Sequence, residues 1–223
     1  MRMPSLIKCG ADGVAFWLRS FVVPDVCVRC GRHAPQHALC ATCCQEAMAE
    51  GACATPLPPG LSRMHIGMRL SEPVRALVHG LKYQGQRHHA KLLVDMAAPR
   101  VRTLPKDALL VPVPVHVTRR RERGYNQSLL LAEAWCKMSG HVVSDCLERV
   151  RATGSQTRLD ASARRRNLEA SLRVNRRLRT DVPLILVDDI CTTGSTLSAC
   201  ASVLLAAGAH DVQGLACAWS PGA

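Results

Sequence analysis

Residues 184–208, LILVDDICTTGSTLSACASVLLAAG, constrain the fold of this chain more than any other stretch. Leu184 to Val187 is an unbroken apolar run, preceded by Asp181 and Pro183 and followed by two acids. Apolar on both faces, it predicts a buried parallel strand that ends at the acids. A turn rich in hydroxyls follows, Thr192-Thr193-Gly194-Ser195-Thr196. Leu197 to Ala207 is rich in Ala and Leu and stops at Gly208, which predicts a helix. Strand, polar loop and helix in that order put the loop at the carboxyl end of a sheet, where open α/β folds bind ligands. Unpaired N–H groups and the positive end of the helix dipole suit a phosphate there. Thr192, Thr193, Ser195 and Thr196 add hydroxyl donors, and Gly194 permits close approach of the backbone. Asp188 and Asp189 repel phosphate, but they can accept from sugar hydroxyls or sit behind a magnesium ion. A phosphate cradle beside two carboxylates matches the needs of a ribose 5-phosphate. The plain alternative is a buried strand, capping acids and a Ser/Thr turn with no ligand. The chain has no G-x-x-x-x-G-K-[ST], so this is not a P-loop.

The rest of the chain is consistent with one such domain carrying an appendage. Its 223 residues can bury a full core, and 48% hydrophobic against 21% charged content marks a globular chain. The net charge of +12 is unevenly spread: from Arg100 to Thr180 there are 18 Lys or Arg against 7 Asp or Glu, a net +11. A polyphosphate ligand, nucleic acid or both fit that excess, while a solvated basic face is the plain reading of arginines outside motifs. Aromatic content of 3% argues against a surface that stacks bases.

Twelve cysteines with no recognisable signal peptide favour thiols and metal ligands in a cytoplasmic protein over disulfides. Residues 13–23 are apolar but too short to span a membrane and are broken by Arg19, so a first helix packed on the body is expected. Cys27, Cys30, Cys40 and Cys43 form two C-x-x-C pairs nine residues apart, the pattern of a closed, structural zinc site. His33, His37, Cys44 and Cys53 are substitute ligands, and reduced structural thiols are the alternative. The Pro/Gly-rich residues 54–62 place a boundary near Gly60, giving a module over 1–60 and a main domain over 61–223.

Within the main domain, residues 72–98 predict two helices broken at Gln84-Gly85-Gln86, with Lys82 and Tyr83 ending the first. The neighbours His88 and His89 read as surface residues. Leu109 to Val115 is a second apolar run, and Pro112 and Pro114 end any strand there. Arg119, Arg120, Arg121 and Arg123 then fall on an expected loop, with Gly124 turning the chain and Asn126 capping a helix from Gln127 to Lys137. Such a loop suits a pyrophosphate, with Arg123 and Gly124 its preferred pair. Residues 148–167 are polar, basic and weakly periodic, the marks of a mobile loop that closes over substrate through Gln156, Arg164 and Asn167. Val212 to Ala218 predicts the last strand, and no internal repeat is visible.

The nine positions from Asp188 to Thr196 resemble the phosphoribosyl pyrophosphate (PRPP) signature of type I phosphoribosyltransferases. The ordered set extends the resemblance to the ComF family of phosphoribosyltransferase-like proteins. Its pieces are the paired cysteines, G-L-K-Y-Q-G (Gly80 to Gly85), V-P-V-P with R-G-Y-N-Q (Val111 to Gln127), Q-x-x-L-x-x-x-x-R-x-x-N (Gln156 to Asn167) and D-D-I-C-T-T-G-S-T. Leu172 stands where that family often has Phe. The resemblance implies a parallel α/β sheet with helices on both faces, a small hood and an N-terminal zinc module. It implies PRPP or ribose 5-phosphate held by Asp188, Asp189, Ile190, Cys191 and Thr192 to Thr196. Pyrophosphate would lie on Val115, His116, Arg119, Arg123 and Gly124, with magnesium bridging. The segment from about Gly67 to Gly85, with Lys82 and Tyr83, would form a hood over an acceptor base. Asp188, Asp189 and Arg123 are the residues expected to serve catalysis, and no motif names the acceptor. Members are associated with DNA uptake in natural competence. The rival expectation is therefore a non-catalytic adaptor that uses its basic segment on single-stranded DNA beside a competence helicase or recombination mediator.

Overall fold

The structure, a computed structural model, describes residues 26–34, 38–49, 57–101, 103–150, 168–175 and 178–221. The expected first helix at 13–23, His37, Cys53 and the loop residues Gln156, Arg164 and Asn167 lie outside the described residues.

The elements in order are α1 (Ala41–Ala49), β1 (Arg63–Arg69), α2 (Glu72–Tyr83), α3 (His89–Ala97), β2 (Leu109–Pro112), α4 (Val117–Arg123), α5 (Gln127–Ser139), β3 (Val142–Val143), β4 (Leu147–Arg149), β5 (Leu172–Val174), β6 (Leu184–Cys191), α6 (Ser195–Ala206) and β7 (Val212–Trp219). Five strands form one sheet in the order β1-β7-β6-β2-β3, with every pairing parallel. β6 lies at its centre, which explains why Leu184, Ile185, Leu186 and Val187 are all fully buried. Each face of the sheet has its own core. Ile185 and Val187 pack with Leu77, Leu81, Leu93, Leu131 and Trp135 of α2, α3 and α5. Leu184 and Leu186 pack with Leu197, Cys200 and Leu204 of α6. This is the expected α/β architecture, a parallel sheet covered on both sides.

Several local expectations change. The central strand does not stop before the acids. It runs on to Cys191, and Asp188, Ile190 and Cys191 stay in register with Ala216, Ala218 and Trp219 of β7. The arginine-rich stretch is not a loop but the short helix α4. His116 caps it by accepting from the Thr118 N–H at 3.2 Å, and Gly124 ends it. His89 is not on the surface: it is fully buried, and its Nδ1 is 3.0 Å from the Leu77 carbonyl. Room for the ring comes from Gly80, where an added Cβ would meet it at 2.5 Å. Of the segment assigned to the hood, Gly67 to Arg69 belong to the edge strand β1.

Other expectations stand. α2 and α3 break around Gly85. β2 ends at Pro112. Asn126 caps α5 by accepting from the Ser128 N–H at 3.0 Å. β4 and β5 pair antiparallel, Leu147 with Val174 and Arg149 with Leu172. They form the stem of the segment read as a mobile loop, so Glu148 and Arg149 are strand rather than loop. None of the described helices is long and apolar enough to cross a membrane.

Candidate functional site

The carboxyl end of β6 delivers the two acids to different neighbours, as the period-2 alternation of a strand requires. Asp189 is 3% exposed, and its Oδ2 lies 2.7 Å from Lys82 Nζ at the end of α2. Its Oδ1 accepts from the Ile190 N–H at 2.8 Å. Asp188 is half-buried, and its Oδ1 accepts from Ser128 Oγ at 3.1 Å and from the Asp189 N–H at 2.9 Å. Burial, reinforced by the Asp189 charge, pushes the Asp188 carboxyl up to about 7, although Lys82 and the two hydrogen bonds work against the rise.

After Cys191 the chain turns into α6. Thr192, Thr193 and Ser195 are exposed, and Thr196 is half-buried. Thr193 Oγ1 donates to Ser195 Oγ at 3.2 Å and accepts from the Ser195 N–H at 3.4 Å, which closes the turn. Gly194 occupies the cap position with φ 72°, a left-handed conformation that favours glycine, and offers the helix no side-chain cap. A Cβ there would meet Pro58 Cγ at 2.4 Å, so the segment before β1 lies directly against the turn. The helix start thus keeps the donor character that an anion needs.

The R-G-Y-N-Q stretch fixes the elements around this end. The Tyr125 hydroxyl donates to the Leu81 carbonyl, and Asn126 Nδ2 donates to the Val113 carbonyl at 3.1 Å. The guanidinium of Arg87 lies 4.7 Å from the Tyr125 ring centre. Arg123 is half-buried: its Nη1 donates to Gln127 Oε1 at 2.9 Å and its guanidinium lies 5.0 Å from the Tyr83 ring centre. Arg119, Arg120 and Arg121 stand exposed on α4. Val115 and Arg120, with Asn126, Arg149 and Asn175, help line a cavity of about 180 Å³ between the end of β2 and the β4–β5 stem.

The predicted residues from G-L-K-Y-Q-G, R-G-Y-N-Q and D-D-I-C-T-T-G-S-T therefore converge on one end of the sheet. Ser128, Arg87 and Pro58 are contacts that sequence reasoning missed. Only Ser128 had a signal, as a hydroxyl in the first turn of a helix starting at the ligand end of the sheet.

The predicted metal ligands also meet. Sγ atoms of Cys27, Cys30, Cys40 and Cys43 all lie within 4.8 Å of one another, and Cys30 is 3.7 Å from both Cys40 and Cys43. A tetrahedral ion with Zn–S of about 2.3 Å separates its sulfurs by about 3.8 Å, whereas a disulfide needs about 2.05 Å. The four thiols can therefore hold a zinc ion. The Arg32 guanidinium, 3.4 Å away, holds the exposed Cys30 thiol down to about 6. Burial raises the Cys27 thiol, but N–H groups from Cys40, Cys30 and Arg29 outweigh it and lower the thiol overall. Burial pushes Cys43 up to about 12. Cys44, weighed as a substitute, lies outside this set. The module rests on the main body: Cys43 and Ala47 share a core with Leu77 and Leu93, and Arg100 donates to the Met48 carbonyl.

Comparison with known proteins gives consistent relatives. The DNA utilization protein YhgH of Salmonella typhi is 33% identical over 197 residues, covering 85% of this chain and 82% of its own length. Competence protein F of Haemophilus influenzae is 32% identical over 166 residues, covering 70% and 72%. Competence protein ComFC of Bacillus subtilis is 32% identical over 103 residues, covering 46% and 40%. No family model matches the chain.

Proposed function

Because the chain belongs to the ComF family, we propose that it binds PRPP at the carboxyl end of β6 and transfers ribose 5-phosphate to a nitrogen acceptor in the service of DNA utilisation and competence. The observation that carries this reading is the strand of two acids leading into a helix start with no side-chain cap. The N–H groups of that start, with Thr193, Ser195 and Thr196, would hold the 5-phosphate, and the acids would meet the ribose hydroxyls. Asp188, a half-buried carboxylate next to another, has the hard oxygen donors that magnesium prefers. When bound, that ion supplies charge neutralisation at the pyrophosphate. The cavity beside Val115 and Arg120 would receive the leaving pyrophosphate. Positioning and electrostatics would do the work, since the sugar develops positive charge as pyrophosphate departs. The cysteine module, divided from this domain near Gly60, holds zinc for structure.

The test is ligand-induced stabilisation with a graded ligand set. PRPP with magnesium raises the melting temperature most, ribose 5-phosphate less, and ribose alone not at all. A melting temperature indifferent to all three overturns the reading.

A second reading is favoured by the exposed Arg119, Arg120 and Arg121 together with the names of the relatives. On it, the chain is a single-stranded-DNA adaptor working beside a competence helicase or recombination mediator. It predicts DNA affinity that falls steeply with salt and survives Asp188→Asn.

A further inference from the structure

Two adjacent carboxylates repel each other and any phosphate brought near them. In this site the two are not equivalent. Asp189 is buried and bridged to Lys82 at 2.7 Å. Asp188 is the more exposed and is held by the Ser128 hydroxyl. The groups facing the pair are Lys82 from α2, Ser128 from α5, Cys200 from α6, Cys217 from β7 and Cys191 along β6. Lys82 supplies the positive charge in that set. Its side chain is itself only 21% exposed, so the bridge is largely shielded from water, where breaking an ion pair leaves a costly unpaired charge. The bridge also ties the last turn of α2 to the central strand, beside the Tyr125 bond to the Leu81 carbonyl.

We infer that Lys82 is a resident counter-ion of the acid pair: it neutralises and orients Asp189, so that the pair presents one negative charge, carried by Asp188, to an incoming sugar phosphate. This rests on the ribose-phosphate reading and deepens it. Lys82 is a positioning residue, and its place is with the sugar end of the ligand rather than with the acceptor base. Ser128 plays the corresponding part for Asp188, through a hydrogen bond rather than a charge.

The experiment is a charge-compensation cycle read by calorimetric titration with PRPP and magnesium and by melting temperature. The variants are Lys82→Met, Lys82→Arg, Asp189→Asn, Asp188→Asn and the double variant Lys82→Met/Asp189→Asn. Lys82→Met leaves Asp189 unpaired and weakens binding by about tenfold to a hundredfold, with a lower melting temperature. Lys82→Arg restores the charge and most of both losses. The double variant removes both charges and recovers most of the affinity lost in Lys82→Met, the sign of a coupled pair. Asp188→Asn loses more affinity than Asp189→Asn. A double variant as weak as Lys82→Met means that the ammonium touches the ligand, and overturns the inference. Equal losses in the two aspartate variants also overturn it. If Lys82→Met fails to fold, Lys82→Arg and the double variant, which keep the charges balanced, still decide. Absence of a titration signal from the wild type overturns the ribose-phosphate reading and this inference with it. A signal with the wrong pattern among variants overturns this inference alone.

Discussion

Two regions of this molecule crowd ionisable groups of one kind together, and their surroundings differ. At the N-terminal module four thiols converge within 4.8 Å, and two arginines each reach one of the sulfurs. Arg29 Nη1 is 3.7 Å from Cys43 Sγ and Arg32 Nε is 3.4 Å from Cys30 Sγ. At the end of β6 two carboxylates converge, and Lys82 reaches the more buried one directly. The first cluster has the four-sulfur donor set that could hold a zinc ion. The second is neutralised in part by the chain itself, through Lys82. Crowding is thus a different signal in each place: four sulfurs that could hold a metal in one, an acid pair with its own counter-ion in the other.

Metal removal is expected to have the greatest consequence. Structural zinc contributes on the order of 10 kcal/mol to the folding of small modules. Chelation, or Cys27→Ser with Cys30→Ser, is expected to abolish hydrogen-exchange protection across 38–49 while β6 stays protected. Metal analysis should give about one zinc per chain. In the stripped protein Cys30, with its thiol held near 6, should alkylate readily at pH 7, and loaded metal should protect it. A metal-free module with full protection would contradict the contrast.

The next effect concerns the acid pair. The Asp188 carboxyl, pushed up to about 7, holds its proton more tightly in the folded chain than in the unfolded one. Its cost to stability is absent below the ordinary carboxylate range, grows as pH rises toward 7 and is complete above it. Asp188→Asn removes that cost, so it should raise the melting temperature little at pH 4 and by roughly 5 °C at pH 8. A gain independent of pH would mean that the carboxylates are not in electrostatic conflict.

Smaller still is Tyr125→Phe, which removes the bond to the Leu81 carbonyl and keeps the ring. Chemical denaturation should show a loss of about 1 kcal/mol. Smallest is Arg120→Ala with Arg121→Ala, on the exposed face of α4. Stability should change by less than about 0.5 kcal/mol. If DNA docks on that face, the log–log salt slope of its binding should fall by about one per arginine. An unchanged slope would remove α4 from any DNA surface.

The core of the fold was legible in sequence because it follows local rules. An unbroken apolar run read as a central strand, and β2 ended at the proline as a ladder without donors must. The misreadings have equally physical causes. Asp188 to Cys191 remain strand because β7 continues opposite them, a pairing partner that no local pattern reveals. α4 has no buried residue, so hydrophobic periodicity has nothing to register, and only its cap and stop mark it. His89 is buried because Gly80 leaves space for it, a contact made across a helix break. Lys82, Asp188 and Asp189 were singled out by type, but their pairing was not legible. That Lys82 belongs to Asp189 and Ser128 to Asp188 follows from α2 and α5 meeting the end of β6, which topology decides rather than spacing.

The most direct test of the central claim is calorimetric titration of the protein with PRPP and magnesium, repeated on Asp188→Asn/Asp189→Asn. Saturable binding at one site is expected of the wild type and none of the double variant. Binding that persists in the double variant, or none in the wild type, would contradict it.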